Sequence, residues 1–328
     1  MRALQFEGHG GPEILSLADR TLPAMGRSEL LVEVRAAGVN HTDLLYCEGI
    51  FDAGELPVTP GADFAGVVTD RGAAVTKFEV GDRVVGSDVA DKRYGSHAEE
   101  VLTRDDHVAH LPKEVAFETG AAIGKAGVTA WHALHDRGEI EPDERVLIHG
   151  GSGGVGHLAV QLARVVDMTV VATAGNDRRC DQLLTLGVTE AINYSRDDLD
   201  AALEGAAGEG FNLIVDNCLD QYARLDVELA APQGRVCVLE FCTKDDGVAA
   251  LEQSTLRTGL LKSLDFRLTA VSNADASAAL EQLCQLADEN ALTPSIAARY
   301  PLTAAETAYE TLERPHFGRI LLVPGMDE

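Results

Sequence analysis

At 328 residues and 45% hydrophobic content, the chain is long enough for two packed domains. Its 53 acidic residues outweigh 27 basic ones, and the net charge of −26 repels nucleic acid and anionic membranes. No apolar window reaches the length of a membrane helix, and the opening MRALQFEGHGG lacks the layout of a secretion signal, so the expectation is a soluble, cytoplasmic protein.

The first 115 residues are rich in glycine, proline and short strand-like runs such as LLVEVRAAGVN, FAGVVTDRG and VGDRVVG, which predict a compact β-rich domain. From about residue 144 the pattern changes. Strands are predicted over 145–149, 169–173, 191–194, 212–217, 235–241 and 266–271. Helices are predicted between the first five, over 155–166, 177–186, 198–206 and 222–230. That alternation predicts an α/β fold with a doubly wound parallel sheet. Residues 251–262 read as a looser connection before the sixth strand, and RYPLTAAETAYETLERPHFGRILLVPG closes the sequence with strand–helix–strand character.

Between the first of these strands and its helix lies Gly151-Ser152-Gly153-Gly154-Val155-Gly156, which fits G-x-G-x-x-G. In a strand–loop–helix context the first glycine permits the tight turn, the second lets the backbone approach a pyrophosphate, and the third lets helix and strand pack closely. The pyrophosphate then sits at the positive end of the helix. The alternative is a loop whose glycines serve packing alone. NAD sites usually place a carboxylate at the tip of the second strand to bind the ribose 2′-hydroxyl. Here the tip reads Thr173-Ala174-Gly175-Asn176, and Arg178 and Arg179 follow Asp177. An arginine fork suits a 2′-phosphate, so the expected cofactor is NADP(H). Solvated arginines at a helix start are the bland alternative.

The six cysteines, at 47, 180, 218, 237, 242 and 284, form no C-x-x-C pair and read as small buried hydrophobes in a reducing compartment. Only six of the basic residues are lysine. That scarcity, beside the acidic excess, favours adaptation to high salt over an ordinary acidic surface.

Taken together, GVNHTDLLYCEG (38–49), LPVTPGADFAGVV (56–68), VGDRVVG (80–86), GKAGVTAWHAL (124–134), the glycine loop, INYS (192–195) and HFGRILL (316–322) resemble the medium-chain dehydrogenase/reductase superfamily, in its zinc-independent quinone oxidoreductase branch. The resemblance implies a GroES-like domain over 1–120 that residues 272–328 complete, a dinucleotide-binding domain over 121–271, and an active site in the cleft. It implies that Gly175, Arg179 and Tyr194 surround the adenosine 2′-phosphate, and that Thr129 and the backbone near Phe241 flank the nicotinamide. Asn40 and Asp43 would line the substrate end. A half-buried strand end for Tyr194 and a helix-surface hydroxyl for Thr129 are the plain structural alternatives. Zinc-using relatives place a cysteine where this chain has Asn40 and His-Glu where it has Ala62-Asp63, so no metal is expected. Quinone reductases of the branch often carry a tyrosine at the position of Leu45; here Tyr46 stands one residue late, and in a strand that shift would turn its ring to the opposite face. His41 reads as a surface residue.

Without a metal Lewis acid, a hydride acceptor must disperse its own charge. The expected activity is therefore NADPH-dependent reduction of a small quinone or α,β-unsaturated carbonyl, with Asn40 as a candidate hydrogen-bond donor to the developing oxyanion or, equally, a residue that only holds a turn. An enoyl-thioester reductase and a non-enzymatic NADPH-binding protein are the alternatives. The sixth strand reads as an exposed sheet edge, which invites pairing, and the resemblance implies a homodimer, because the family pairs such edges about a two-fold axis.

Overall fold

The computed structural model describes residues 1–239, 253–269 and 276–326. The chain forms two compact units, residues 1–128 with 272–328 and residues 129–271.

The first unit begins with an antiparallel pair, β1 (Arg2–Gln5) and β2 (Ser16–Asp19). Its main sheet contains β3 (Glu29–Gly38), β4 (Phe64–Arg71), β5 (Arg83–Gly86), β6 (Glu100–Arg104) and β7 (Val108–His110). Alternation in β3 sends Leu30, Val32 and Val34 into a core with Phe64, Val68, Val84 and Val101. Helix α1 (His41–Cys47) follows β3, and α2 (Phe117–Trp131), kinked at Gly124, leads out of the unit.

In the second unit a six-stranded parallel sheet is built from β8 (Arg145–Ile148), β9 (Thr169–Ala174), β10 (Glu190–Asn193), β11 (Phe211–Asp216), β12 (Ala230–Val238) and β13 (Asp265–Leu268). Their order is β10-β9-β8-β11-β12-β13. Helices α3 (Gly156–Val165), α4 (Asp177–Thr185), α5 (Leu199–Ala207) and α6 (Leu219–Leu229) connect the first five strands. Strands buried on both faces explain the short apolar runs in the sequence. Strand order reverses direction between β8 and β11, and the carboxyl ends at such a switch point are where open α/β sheets bind ligands. β12 starts earlier than the sequence pattern predicts, running through Pro232-Gln233-Gly234, with a register irregularity against β11. The connection expected over 251–262 is a helix, α7 (Gln253–Lys262), anchored where Lys262 Nζ donates to the Val227, Glu228 and Ala230 carbonyls at the end of α6. The predicted ends of the fifth and sixth strands at 240–241 and 270–271 lie outside the described residues.

The chain then returns to the first unit as α8 (Ala276–Asp288), β14 (Ile296–Tyr300), α9 (Ala305–Glu313) and β15 (Arg319–Leu322). β15 pairs with β3 and makes the first sheet seven-stranded. Cys47, Cys180, Cys237 and Cys284 are free and buried, but Cys218 is disulfide-bonded, which corrects the reading of all six as reduced thiols. No helix among the described residues is long and apolar enough to cross a membrane.

Candidate functional site

The glycine loop of the second unit leaves β8 and is pinned at once. Gly150 N donates to Thr173 Oγ1 at 3.0 Å and Gly151 N to the Thr173 carbonyl at 2.8 Å. Gly153 N closes back on the Gly150 carbonyl at 2.9 Å, and a Cβ on Gly156 would stand 2.3 Å from that same oxygen. Only glycine lets α3 start this close to the turn. Ser152, Gly154 and Val155 complete the approach to the helix, with Val155 at its N-cap.

At the tip of β9, Asn176 caps α4 by accepting from Arg179 N at 2.9 Å. That cap folds the Arg179 guanidinium back over the strand end. Its Nη1 donates to Ser152 Oγ at 3.5 Å, while its buried Nε has no partner. A Cβ on Gly175 would meet Tyr194 Oη at 2.5 Å and Arg179 Nη2 at 2.6 Å. Ser152, Gly175, Arg179 and Tyr194 therefore converge on one small cradle with an unsatisfied cationic donor. Its donor set fits a phosphate, and the helix N-terminus beside it fits a pyrophosphate. Asp177, the one carboxylate near the strand tip, is bound by Asn193 Nδ2 at 2.8 Å. Arg178 is exposed and does not share the cradle. Thr129 is half-buried near the end of α2, and Phe241 lies outside the described residues.

Beneath the loop sits a buried cluster that sequence reasoning does not reveal. His149 Nε2 donates to Asp226 Oδ1 at 3.0 Å, and Tyr222 stacks on the imidazole at 4.1 Å. Asp216 Oδ1 accepts from Cys218 N at 2.7 Å. Burial pushes Asp216 up to about 8, helped by the Asp226 charge, and pushes Asp226 up to about 7. Burial also drives His149 down to about 4, so the ring is neutral.

The first unit holds a second polar assembly, closed by residues far apart in the chain. Asp43 Oδ2 accepts from Asn40 N at 2.8 Å and so locks the first turn of α1. Asn40 Nδ2 donates to Asp63 Oδ1 at 2.8 Å. Arg319 Nη1 donates to Asn40 Oδ1 at 2.9 Å and Nη2 to Asp63 Oδ2 at 2.7 Å. Lys125 N adds a bond to Asp63 Oδ2 at 3.2 Å. His97 Nε2 donates to the Gly38 carbonyl and its Nδ1 is hydrogen-bonded to Tyr309 Oη, both at 2.9 Å. Burial raises the Asp43 carboxyl, opposed by His97 at 3.9 Å.

The expected oxyanion donor is thereby corrected. Both ends of the Asn40 amide are engaged, and its remaining N–H direction meets the Gly38 carbonyl at 3.5 Å. Asn40 is a buried link that orients α1. Because 41–47 is helical, the strand argument against Tyr46 does not apply. Asp43 and Tyr46, three apart, share a helix face. With Thr42, Ala62, Lys92 and Lys125 they line a recess of about 20 Å³, room for about one water or one oxygen atom. His41 is exposed.

Residues 26–113 match the family described as "Alcohol dehydrogenase GroES-like domain", and residues 154–288 match "Zinc-binding dehydrogenase". The Lama guanicoe protein "Quinone oxidoreductase" is 32% identical over 321 residues, covering 95% of this chain and 93% of that relative. The chain belongs to the quinone oxidoreductase branch of the medium-chain dehydrogenases/reductases. Two solved structures align over nearly its whole length at 27% identity. One, titled "Crystal Structure of NAD-dependent alcohol dehydrogenase", has a TM-score of 0.91 and covers 99% of this chain and 100% of that one. The other, quinone oxidoreductase of Escherichia coli complexed with NADPH, has a TM-score of 0.86 and the same coverage. Although a zinc-binding family model matches, this quinone oxidoreductase relative brings together no three His, Cys, Asp or Glu side chains as a metal site among its described residues. The cation held between Asn40 and Asp63 is the Arg319 guanidinium.

Proposed function

We propose that this member of the quinone oxidoreductase branch is an NADPH-dependent reductase that delivers hydride to a small quinone or α,β-unsaturated carbonyl without a metal. The observation that carries the reading is the cradle of Ser152, Gly175, Arg179 and Tyr194, where a buried guanidinium nitrogen lacks a partner and no free carboxylate stands at the strand tip. NADPH supplies the hydride. The backbone N–H groups from Gly151 to Gly156 would hold its pyrophosphate, Arg179 and Tyr194 its 2′-phosphate, and Thr129 would flank its nicotinamide. Asn40 and Asp43 act as positioning residues, fixing α1 against the Asp63–Arg319 ion pair. Among the described residues no three His, Cys, Asp or Glu side chains gather as a metal site, and a conjugated acceptor, which spreads its own charge, needs no Lewis acid.

The test is a panel of quinones, 2-enones, enoyl thioesters and primary alcohols assayed with both nicotinamide cofactors. Oxidation of NADPH by quinones or enones, with affinity for NADPH about tenfold or more above that for NADH, is expected. Alcohol oxidation without turnover of any conjugated acceptor would reverse the reading, and thioester reduction alone would select the acyl alternative.

Assembly and setting belong to the same proposal. Leu260, Leu261 and Leu268 are strongly exposed on α7 and on β13, the sheet edge. Such an apolar edge supports a homodimer, and Leu268→Asp should yield a monomer by light scattering. We place the protein in the cytoplasm and read its acidic surface as a high-salt adaptation.

A further inference from the structure

Asp216 and Asp226 are fully buried, and among the described residues no lysine or arginine forms an ion pair with either. One oxygen of each is satisfied, Asp216 Oδ1 by Cys218 N at 2.7 Å and Asp226 Oδ1 by His149 Nε2 at 3.0 Å. The other two, Asp216 Oδ2 and Asp226 Oδ2, are buried with no N–H or O–H directed at them, and the two carboxyls lie within hydrogen-bonding reach of each other. Neighbouring carboxylates without a counter-ion do not both stay ionised in a buried place, and one proton held between them satisfies both orphaned oxygens. We propose that Asp216 and Asp226 share one proton and act as a positioning pair under the glycine loop, so that NADPH binding is coupled to retention of that proton. The proposal rests on the loop being the NADPH site.

The pair is joined to the loop on two sides. His149, which binds Asp226, is followed directly by Gly150, where the turn begins. Asp216 is followed by Asn217, whose side chain packs so closely on Gly150 that a Cβ there would stand 2.8 Å from Asn217 Nδ2. The shared proton also ties α6, which carries Asp226, to the carboxyl end of β11, which carries Asp216. Its loss breaks that tie and adds a second negative charge beside a loop that receives a pyrophosphate, in a low-dielectric interior where the repulsion is strong. The groups around the pair supply no compensating charge. His149 comes from β8, and burial keeps its ring neutral. Tyr222 comes from α6 and stacks on that ring at 4.1 Å, and burial raises its hydroxyl. β12 is followed by Leu239, whose N–H lies 2.7 Å from the Asp216 carbonyl. Arg224 and Glu228, two residues to either side of Asp226 on α6, pair at the exposed surface with each other, and Arg224 also with Asp200.

The sign of the coupling follows. Burial raises both carboxyls, so the proton leaves near and above neutral pH. An anionic cofactor on the loop makes the pair hold its proton more firmly. Binding therefore takes up a proton, and affinity falls as pH rises through the titration of the pair. The 2′-phosphate acts in the opposite sense, because it gains charge for Arg179 as it loses its second proton near pH ~6.

The test is calorimetric titration of NADPH into the wild-type chain between about pH 7 and about pH 9, in two buffers of different ionisation enthalpy. Uptake approaching about one proton per cofactor is expected, with an affinity that falls about tenfold over the interval. In Asp226→Asn the amide Nδ2 replaces the shared proton as the donor to Asp216, so the uptake and the pH dependence should both vanish, which a purely structural role for the position would not produce. Asp216→Asn is the mirror variant and should do the same if Asp226→Asn does not fold. Arg179→Ala should weaken binding and keep the uptake. Infrared spectroscopy of the cofactor-free chain reads the proton without binding. The carbonyl stretch of a protonated carboxyl should be present at about pH 7 and lost by about pH 9, and that component should be missing from Asp226→Asn. Absence of uptake in the wild type, or equal uptake in both acid variants, overturns the proposal. A pair that shows its proton in the infrared, in a chain that binds no NADPH at any pH, would instead reject the loop as the cofactor site, and the coupling with it.

Discussion

The glycine-loop site of the second unit and the polar network of the first are both tight, buried arrangements, but the chain closes them over very different distances. Ser152 and Arg179 are 27 residues apart, and Gly150 and Thr173 are 23 apart. In the first unit Asn40 and Arg319 are 279 apart, Asp63 and Arg319 are 256 apart, and His97 and Tyr309 are 212 apart. A site made from one β–α–β passage is specified by local turns and caps. A site made across the whole chain depends on the sheet to bring its parts together.

The sharpest way to break that comparison is to cut the long-range link. Arg319→Met leaves the fully buried Asp63 without its counter-charge, and removing one partner of a buried ion pair costs about 3–5 kcal/mol. Denaturant titration should show a loss of that order. Amide exchange should accelerate in α1 while β8 and β9 stay protected. Equal acceleration in both units would mean that the two sites are not independent.

A smaller effect separates the two arginines of the local site. Arg179→Ala should weaken NADPH binding about ten- to a hundredfold, one or two charge-assisted hydrogen bonds' worth, and leave NADH binding nearly unchanged. Arg178→Ala should change either by less than about twofold, because that side chain is exposed and outside the cradle. The arginine pair was visible in the sequence. Which member folds inward depends on the Asn176 cap, which only the built helix displays.

That contrast explains what was legible. The six parallel strands follow from apolar runs spaced by helices, and the loop follows from glycine spacing, because each signal is written within about thirty residues. Arg319, His97, Tyr309 and Lys125 carried no such signal. Their partners are set by strand pairing, above all β15 on β3, and a lone Arg in HFGRILL gives no indication of the carboxylate it will meet. The strand premise for Tyr46 fails for a related reason. The Asn40–Asp43 spacing of a capping box was present, and it marks a helix start at which Asp43 and Tyr46 share a face.

The most gradual effect lies in acid–base behaviour beneath the loop. Folding raises Asp216 from 3.8 to about 8 and Asp226 from 3.8 to about 7, so the folded state holds protons that the unfolded chain releases. Their contribution to stability is therefore complete below about pH 4 and is lost as pH climbs through those two values. Asp43 adds to the trend with the same sign. Urea titrations from pH 5 to 8 should show declining stability, and Asp216→Asn should flatten the decline while leaving part of it. An unchanged slope in the variant would remove the buried acid pair as its cause.

The late position of Arg319 also has a consequence for how the protein is made. On the ribosome, the whole of residues 129–271 is synthesised before the guanidinium that satisfies Asn40 and Asp63 exists. A nascent chain can complete its nucleotide fold while β3, β4 and α1 still wait for β15. Products that stall in this interval carry a finished module joined to an unfinished one, with a buried carboxylate exposed to local opening and so to proteolytic clearance. The network that holds α1 can therefore be closed only once translation has passed Arg319.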